Sequence, residues 1–245
     1  MTPVDVLAVA AHPDAAEVGC GGVLALTVRD GRSAAILDLT RGELSTSGTV
    51  ESRDEEAGRA AAVLGVERHS LGLPDGDVGV APDHTDAVID ALRTFRPRVV
   101  LAPYAVEDRH PDHAAAGQLV RRASFLAGVA KRGSGHPHRP VRIYHYQLHH
   151  AFTPSLVVDV TPVWDTRTAA IDAYASQFHQ YEATRTTAIG GADFRGVLAA
   201  RARALGALVG VTYGEGYYCE GPVGVRALPD LDDAAPDLRT YRAFL

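Results

Sequence analysis

The segment Val4-Asp5-Val6-Leu7-Ala8-Val9-Ala10-Ala11-His12-Pro13-Asp14-Ala15-Ala16-Glu17 changes character at His12. Up to Ala10 it has the length and apolar, β-branched content of a buried strand. At His12-Pro13-Asp14 the run stops, and Glu17–Arg29 takes up a helical pattern that Asp30-Gly31 closes. A strand entering a helix through a short polar turn is the opening half of a βαβ unit. About a hundred residues later the same change recurs: Arg98–Ala102 reads as a strand, and Asp108-Arg109-His110-Pro111-Asp112-His113 follows it. Parallel α/β sheets place ligands beyond the carboxyl ends of their strands. In a doubly wound sheet the first and fourth strands are neighbours, so two His-Pro-Asp triplets distant in sequence are expected to meet.

The remaining pattern agrees with this frame. Ser33–Leu39 reads as a second strand, ending at Thr40-Arg41-Gly42-Glu43, and Glu51–Leu64 as a helix stopped by Gly65. His69–Leu73 is a short strand before the turn Pro74-Asp75-Gly76, and Asp83–Phe95 a helix. Pro111 suits the start of a helix reaching Ala130. Lys131–Pro140 is a Gly-, His- and Pro-rich loop. Two strands, Val141–Leu148 and Ser155–Val160, precede helices near Thr166–Phe178 and Phe194–Leu208, and an aromatic strand spans Glu215–Cys219. The expected fold is α/β and Rossmann-like: one domain over residues 1–245, a mostly parallel sheet with helices on both faces, and an edge hairpin added. Residues 226–245 form a Pro- and Asp-rich tail.

At 245 residues with 46% hydrophobic and 22% charged side chains, the chain can bury one sizeable core. A net charge of -6 argues against nucleic acid as a partner, because phosphate binding needs a basic surface. Cys20 and Cys219 are too few for a disulfide framework and suit a reducing cytosol. No stretch has the ~20 apolar residues that span a bilayer, so no membrane partner is expected.

Imidazole and carboxylate gathered at strand ends are the donor set of a hydrolytic divalent metal, zinc suiting it best. Gly19, Gly21 and Gly22 do not form a dinucleotide loop, because His-Pro-Asp occupies the turn that loop would need; they read as close packing of the helix on the sheet. Arg53 reads either as a surface residue or as an anion clamp at the mouth of the site. Tyr213-Gly214-Glu215-Gly216 reads as a turn or a pocket wall. His145, His149 and His150, on the expected hairpin, read as exposed or packing side chains.

These motifs together resemble the LmbE-like (PIG-L) N-acetylglucosaminyl deacetylases: His12-Pro13-Asp14-x-x-Glu17-x-Gly19-x-Gly21-Gly22, Gly42-Glu43, Arg53, Asp108 to His113, Val158-Asp159-Val160-Thr161, Ala173-Tyr174-x-Ser176-Gln177-Phe178 and Tyr213 to Gly216. The bacillithiol biosynthesis deacetylases, which act on N-acetylglucosaminyl malate, are the branch it most resembles. The resemblance implies that His12 and His113 are zinc ligands and that Asp14 is the general base acting on the attacking water. It implies that His110 stabilises the intermediate and protonates the leaving amine, oriented by Asp112. It assigns Arg53 to the substrate. Arg109 and Tyr213 are further substrate-binding candidates. A small-molecule sugar conjugate is the implied partner, in a cytoplasmic homo-oligomer such as a hexamer.

Ala15 departs from the family. The family pattern is His-Pro-Asp-Asp, its second aspartate being the third protein ligand of zinc, and alanine coordinates nothing. Zinc is therefore expected to be weakly held or absent, unless another ligand serves. The alternatives are a metal-poor relative that binds a sugar conjugate without turning it over, and a de-N-acylase of another amide.

Overall fold

The computed structural model describes residues 2–178, 187, 189–190 and 193–224; the tail at 226–245 lies outside them. Seven strands form one sheet in the order β3-β2-β1-β4-β5-β7-β6. They are β1 (Val6–Ala10), β2 (Ala34–Asp38), β3 (Glu67–Ser70), β4 (Val99–Pro103), β5 (Arg142–Tyr146), β6 (Leu156–Asp159) and β7 (Gly214–Tyr218). The first five are parallel, and β1 pairs with both β2 and β4, Leu7 standing opposite Ala35 on one side and Val100 on the other.

Strand side chains alternate between faces, so each strand feeds two cores. Ala8, Ala10, Ile36, Leu101 and Tyr146 join one apolar cluster, with α1 (Ala15–Arg29), α2 (Val50–Leu64) and α5 (Trp164–Asp172) packed over it. Leu7, Val9, Leu37, Val100 and Ala102 join the other, beneath α3 (Pro82–Phe95) and α4 (Pro111–Ala127). This is the three-layer α/β arrangement expected from the sequence. Among the described residues, no helix is long and apolar enough to cross a membrane.

Two details differ from the sequence reading. The antiparallel edge pair consists of β6 and β7: β7 inserts between β5 and β6, so Val141–Leu148 and Ser155–Val160 do not pair with each other. Gly214 and Gly216 permit the insertion. A Cβ on Gly214 would lie 2.6 Å from Val157 and 2.9 Å from the backbone of Gly206 on α7 (Phe194–Ala207). The expected helix over Thr166–Phe178 is split into α5 and a single turn, α6 (Ala175–Phe178). Gly19 behaves as its spacing suggested: a Cβ there would meet the Tyr146 ring at 2.1 Å, and that ring's hydroxyl donates to the Val9 carbonyl at 2.8 Å.

Candidate active site

Because β1 and β4 are adjacent, the turns after them converge. Ring centroids of His12 and His110 are 4.6 Å apart, His110 and His113 5.0 Å, and His12 and His113 5.4 Å. Each of the three offers a ring nitrogen within 4.8 Å of the others'.

Each imidazole is held from behind. The Asp108 carboxylate meets His113 Nδ1 at 2.8 Å and accepts the backbone N–H groups of His110, His149 and His150 at 3.1, 3.1 and 3.2 Å. Those bonds keep its acid well below the usual carboxylate range despite the burial that opposes ionisation. His12 Nε2 lies 2.9 Å from Asp75 and 3.3 Å from Asp112. Burial opposes protonation of His12, but the Asp112 and Asp75 carboxylates prevail and raise its pKa to about 9. His110 caps α4, its Nδ1 accepting the Asp112 amide at 3.3 Å. Burial and repulsion from His12 hold its pKa below the ordinary value.

Asp14 caps α1 with φ +100°, a conformation side chains rarely adopt and that its surroundings must hold in place. Arg53 supplies that hold, its Nη2 donating to the Asp14 carboxylate at 2.8 Å and to the Pro13 carbonyl at 2.6 Å. Arg53 Nη1 donates to Gln177 Oε1 at 3.1 Å. Gln177 is fixed in turn because Glu56 accepts the Ser176 amide at 2.8 Å, tying α6 to α2. Burial raises the Asp14 pKa to about 6, more than the Arg53 charge lowers it.

These groups line a cavity of about 410 Å³. His12, Asp14, Ala15, Arg53, Asp75, His110 and His113 form one side; Leu148, Phe178, Ile189, Phe194, Val197, Leu198 and Arg201 supply much of the other. Of the residues singled out from the sequence, His12, Asp14, Arg53, His110 and His113 come together. Asp112 is present behind them, but its carboxylate meets His12 and the Gly76 amide (2.8 Å), while only its backbone touches His110.

Two expectations are corrected. Among the described residues, Tyr213 does not line this cavity: its ring stacks on Trp164 at 4.0 Å and lies under Arg203, at the turn before β7. Arg109 is exposed and does not line the cavity, because the turn before α4 points it outward. His149, read as an exposed or packing side chain, is exposed and also lines the cavity, stacked on His113 at 5.6 Å, whereas His145 is buried against the Pro103 carbonyl. The sequence marks Asp75 only as part of a turn; nothing local identifies it as a partner of His12.

The donor set fits a divalent metal. Three imidazoles converge, and two of them are backed by carboxylates, the arrangement that fixes tautomer and raises ligand basicity in metal sites. Ala15 is buried at the same wall and contributes only a methyl group.

Residues 7–124 match the family model for PIG-L, GlcNAc-PI de-N-acetylase. The chain belongs to the PIG-L (LmbE-like) deacetylase family. It is 29% identical to a diacetylchitobiose deacetylase of Thermococcus kodakarensis, over 71% of this chain and 70% of that protein. A 4-oxalmesaconate hydratase of Pseudomonas putida is 26% identical over 86% of both chains. Among solved structures, the conserved protein TT1542 from Thermus thermophilus is 40% identical, with a TM-score of 0.83 over 92% of this chain and 98% of its own. These relatives are named for different reactions, and the choice for this chain rests on the site itself.

Proposed function

We propose that this protein removes the N-acetyl group from an N-acetylglucosamine conjugate with the help of a divalent metal, zinc being the best match to its donors. The observation that carries this reading is the meeting of Asp14, held by Arg53, with His12, His110 and His113 in one cavity. A carboxyl titrating near neutrality is suited to take a proton and give it back.

His12 and His113 would hold the metal, which when bound polarises the amide carbonyl and the attacking water. Asp75 and Asp112 stabilise a proton on His12, which would have to leave for His12 to serve as a ligand. Ionised Asp14 accepts the proton of the water that adds to the amide carbon, and Arg53 keeps it aimed. The C–N bond then breaks, and the same proton passes from Asp14 to the departing amine, leaving acetate. His110 accepts at Nδ1, so its hydrogen sits on Nε2, where it is a neutral donor to the negative charge developing on the amide oxygen. Its lowered pKa suits this better than a proton-donating role.

The malate conjugate of bacillithiol biosynthesis is one candidate substrate, diacetylchitobiose another. Incubating zinc-supplemented protein with both and measuring acetate tests the reading. Acetate release that is lost on chelation supports it; none from any N-acetylglucosamine conjugate overturns it. Ala15 is the one observation favouring a second reading, a binding protein that keeps the cavity without turnover. Ligand binding by a protein that neither retains metal nor releases acetate would establish that alternative.

A further inference from the structure

The cavity wall supplied by α7 has its own pattern. Phe194, Val197, Leu198 and Arg201 recur at the three- and four-residue spacing that puts side chains on one helix face, and all four line the cavity. The stripe is apolar until Arg201, which ends it with a positive charge.

That charge has no carboxylate of its own. Arg201 Nη1 donates to the Leu148 carbonyl at 2.7 Å and Nη2 to the Val18 carbonyl at 3.2 Å, both neutral acceptors. Among the described residues, no ion pair to Arg201 is formed. Glu215, the carboxylate in its surroundings, is occupied: it accepts from Arg167 Nε (2.9 Å), the amides of Gly22 and Val23 (2.8 and 2.9 Å) and the Tyr217 hydroxyl (2.8 Å). Arg167 also donates to the Val18 carbonyl, at 2.7 Å, so two guanidinium groups converge where one carboxylate is present. Burial and Arg167 together lower the Arg201 pKa to about 10, in keeping with a cation short of compensation. Arg53, the other guanidinium lining the cavity, is already neutralised by Asp14.

We infer that Arg201 is the anion-binding residue of this cavity, and that the conjugate bound there carries an apolar spacer ending in an oxyanion, a carboxylate or a phosphate. An uncompensated guanidinium has donors to spare for such a group, in a setting where a charge-assisted bond is strong. The apolar stripe leading to it fits a spacer without hydroxyl groups. Which end of the ligand is the sugar rests on the de-N-acetylase reading; the anion preference does not.

Product glycosides, which cannot turn over, separate the two. Calorimetry on the zinc-supplemented protein would compare propyl, 3-carboxypropyl and 3-phosphonopropyl glucosaminide, with butyrate alone as a fourth probe. The anionic glycosides are expected to bind about tenfold or more tightly than the propyl glycoside, as one charged hydrogen bond allows, and added salt narrows the gap. In Arg201→Gln the ratio falls to near one while propyl glycoside affinity stays within twofold; Arg201→Lys, which keeps the charge, keeps part of the preference. The better of the two anions identifies the oxyanion. Equal binding of neutral and anionic glycosides by the wild type, or a preference that survives Arg201→Gln, overturns the assignment. Butyrate binding that depends on Arg201, without any glycoside binding, would sustain the anion site and remove the sugar.

Discussion

The two walls of the cavity treat charge in opposite ways. Around the ends of β1 and β4 the ionisable groups are paired with one another: Asp14 with Arg53, His12 with Asp75 and Asp112, His113 with Asp108. On α7, Arg201 meets only carbonyls among the described residues, beyond a run of Phe194, Val197 and Leu198. A paired, buried cluster is preorganised and needs no rearrangement when charge develops on a substrate. An unpaired cation is completed only by what arrives. If the first wall carries the proposed chemistry and the second chooses what is brought to it, changes on the two should separate turnover from affinity.

The largest effect is expected at Asp14. Asp14→Asn keeps the shape of the side chain and its contact with Arg53 but cannot accept a proton, so acetate release should fall by roughly 10²–10⁴-fold. Affinity for product glycosides should change far less. An Asn variant with full turnover would remove Asp14 from the chemistry and leave the paired cluster a structural feature.

A smaller effect concerns metal and proton competing for His12. Its pKa in the metal-free fold is raised from 6.5 to about 9, so between these values the folded protein holds a proton that the unfolded chain has lost. The associated stability is complete below pH 6.5 and disappears as pH rises through about 9. Zinc must displace that proton, so its affinity should climb about tenfold per pH unit across this window, with about one proton released per ion from this residue. Calorimetry in buffers of different ionisation heat measures both. Ala15→Asp restores an anionic donor and should strengthen binding by about tenfold or more, equivalent to ~1.4 kcal/mol. Zinc affinity independent of pH, or unchanged by Ala15→Asp, would show that His12 is not a ligand or that another group stands in for residue 15.

The β1–β4 half was legible because its signals are local. A strand length, a polar turn and a helix start fix where His12, Asp14, His110 and His113 lie, and parallel pairing brings the turns together. Asp75 was not legible: a Pro-Asp-Gly turn looks the same whether or not its carboxylate reaches an imidazole on a neighbouring loop. The placement of β7 between β5 and β6 was missed because it depends on long-range pairing, which close packing at Gly214 permits but no short pattern announces. The α7 stripe can be seen in the sequence as a helix face, yet which partner that face meets is decided only by tertiary packing. The stretch Tyr213 to Gly216 reads from sequence as a turn or as a pocket wall, and only the stacked Trp164 ring shows that the contacts of Tyr213 lie elsewhere.

That last difference yields the smallest expected effect and the sharpest check on where the cavity ends. The Tyr213 ring lies flat on Trp164, 4.0 Å between centroids and 6° from parallel, with the Arg203 guanidinium 5.0 Å from its centre and donating to its hydroxyl at 3.2 Å. Its backbone is pinned separately: its amide donates to Thr161 Oγ1 at 3.0 Å and its carbonyl accepts the Val160 amide at 3.0 Å. Tyr213→Ala therefore removes the ring without releasing the turn. Beyond the area it buries, an aromatic pair of this kind contributes about 0.5–1.5 kcal/mol. In a chain of this size the melting temperature should drop by roughly 2–4 °C for each kcal/mol lost. Glycoside affinity and acetate release should stay within twofold of the wild type, because among the described residues the partners of this ring, Trp164 and Arg203, do not line the cavity. A variant with an unchanged melting curve and weakened glycoside binding would move Tyr213 into the site, and would extend the substrate wall past α7 to the turn before β7.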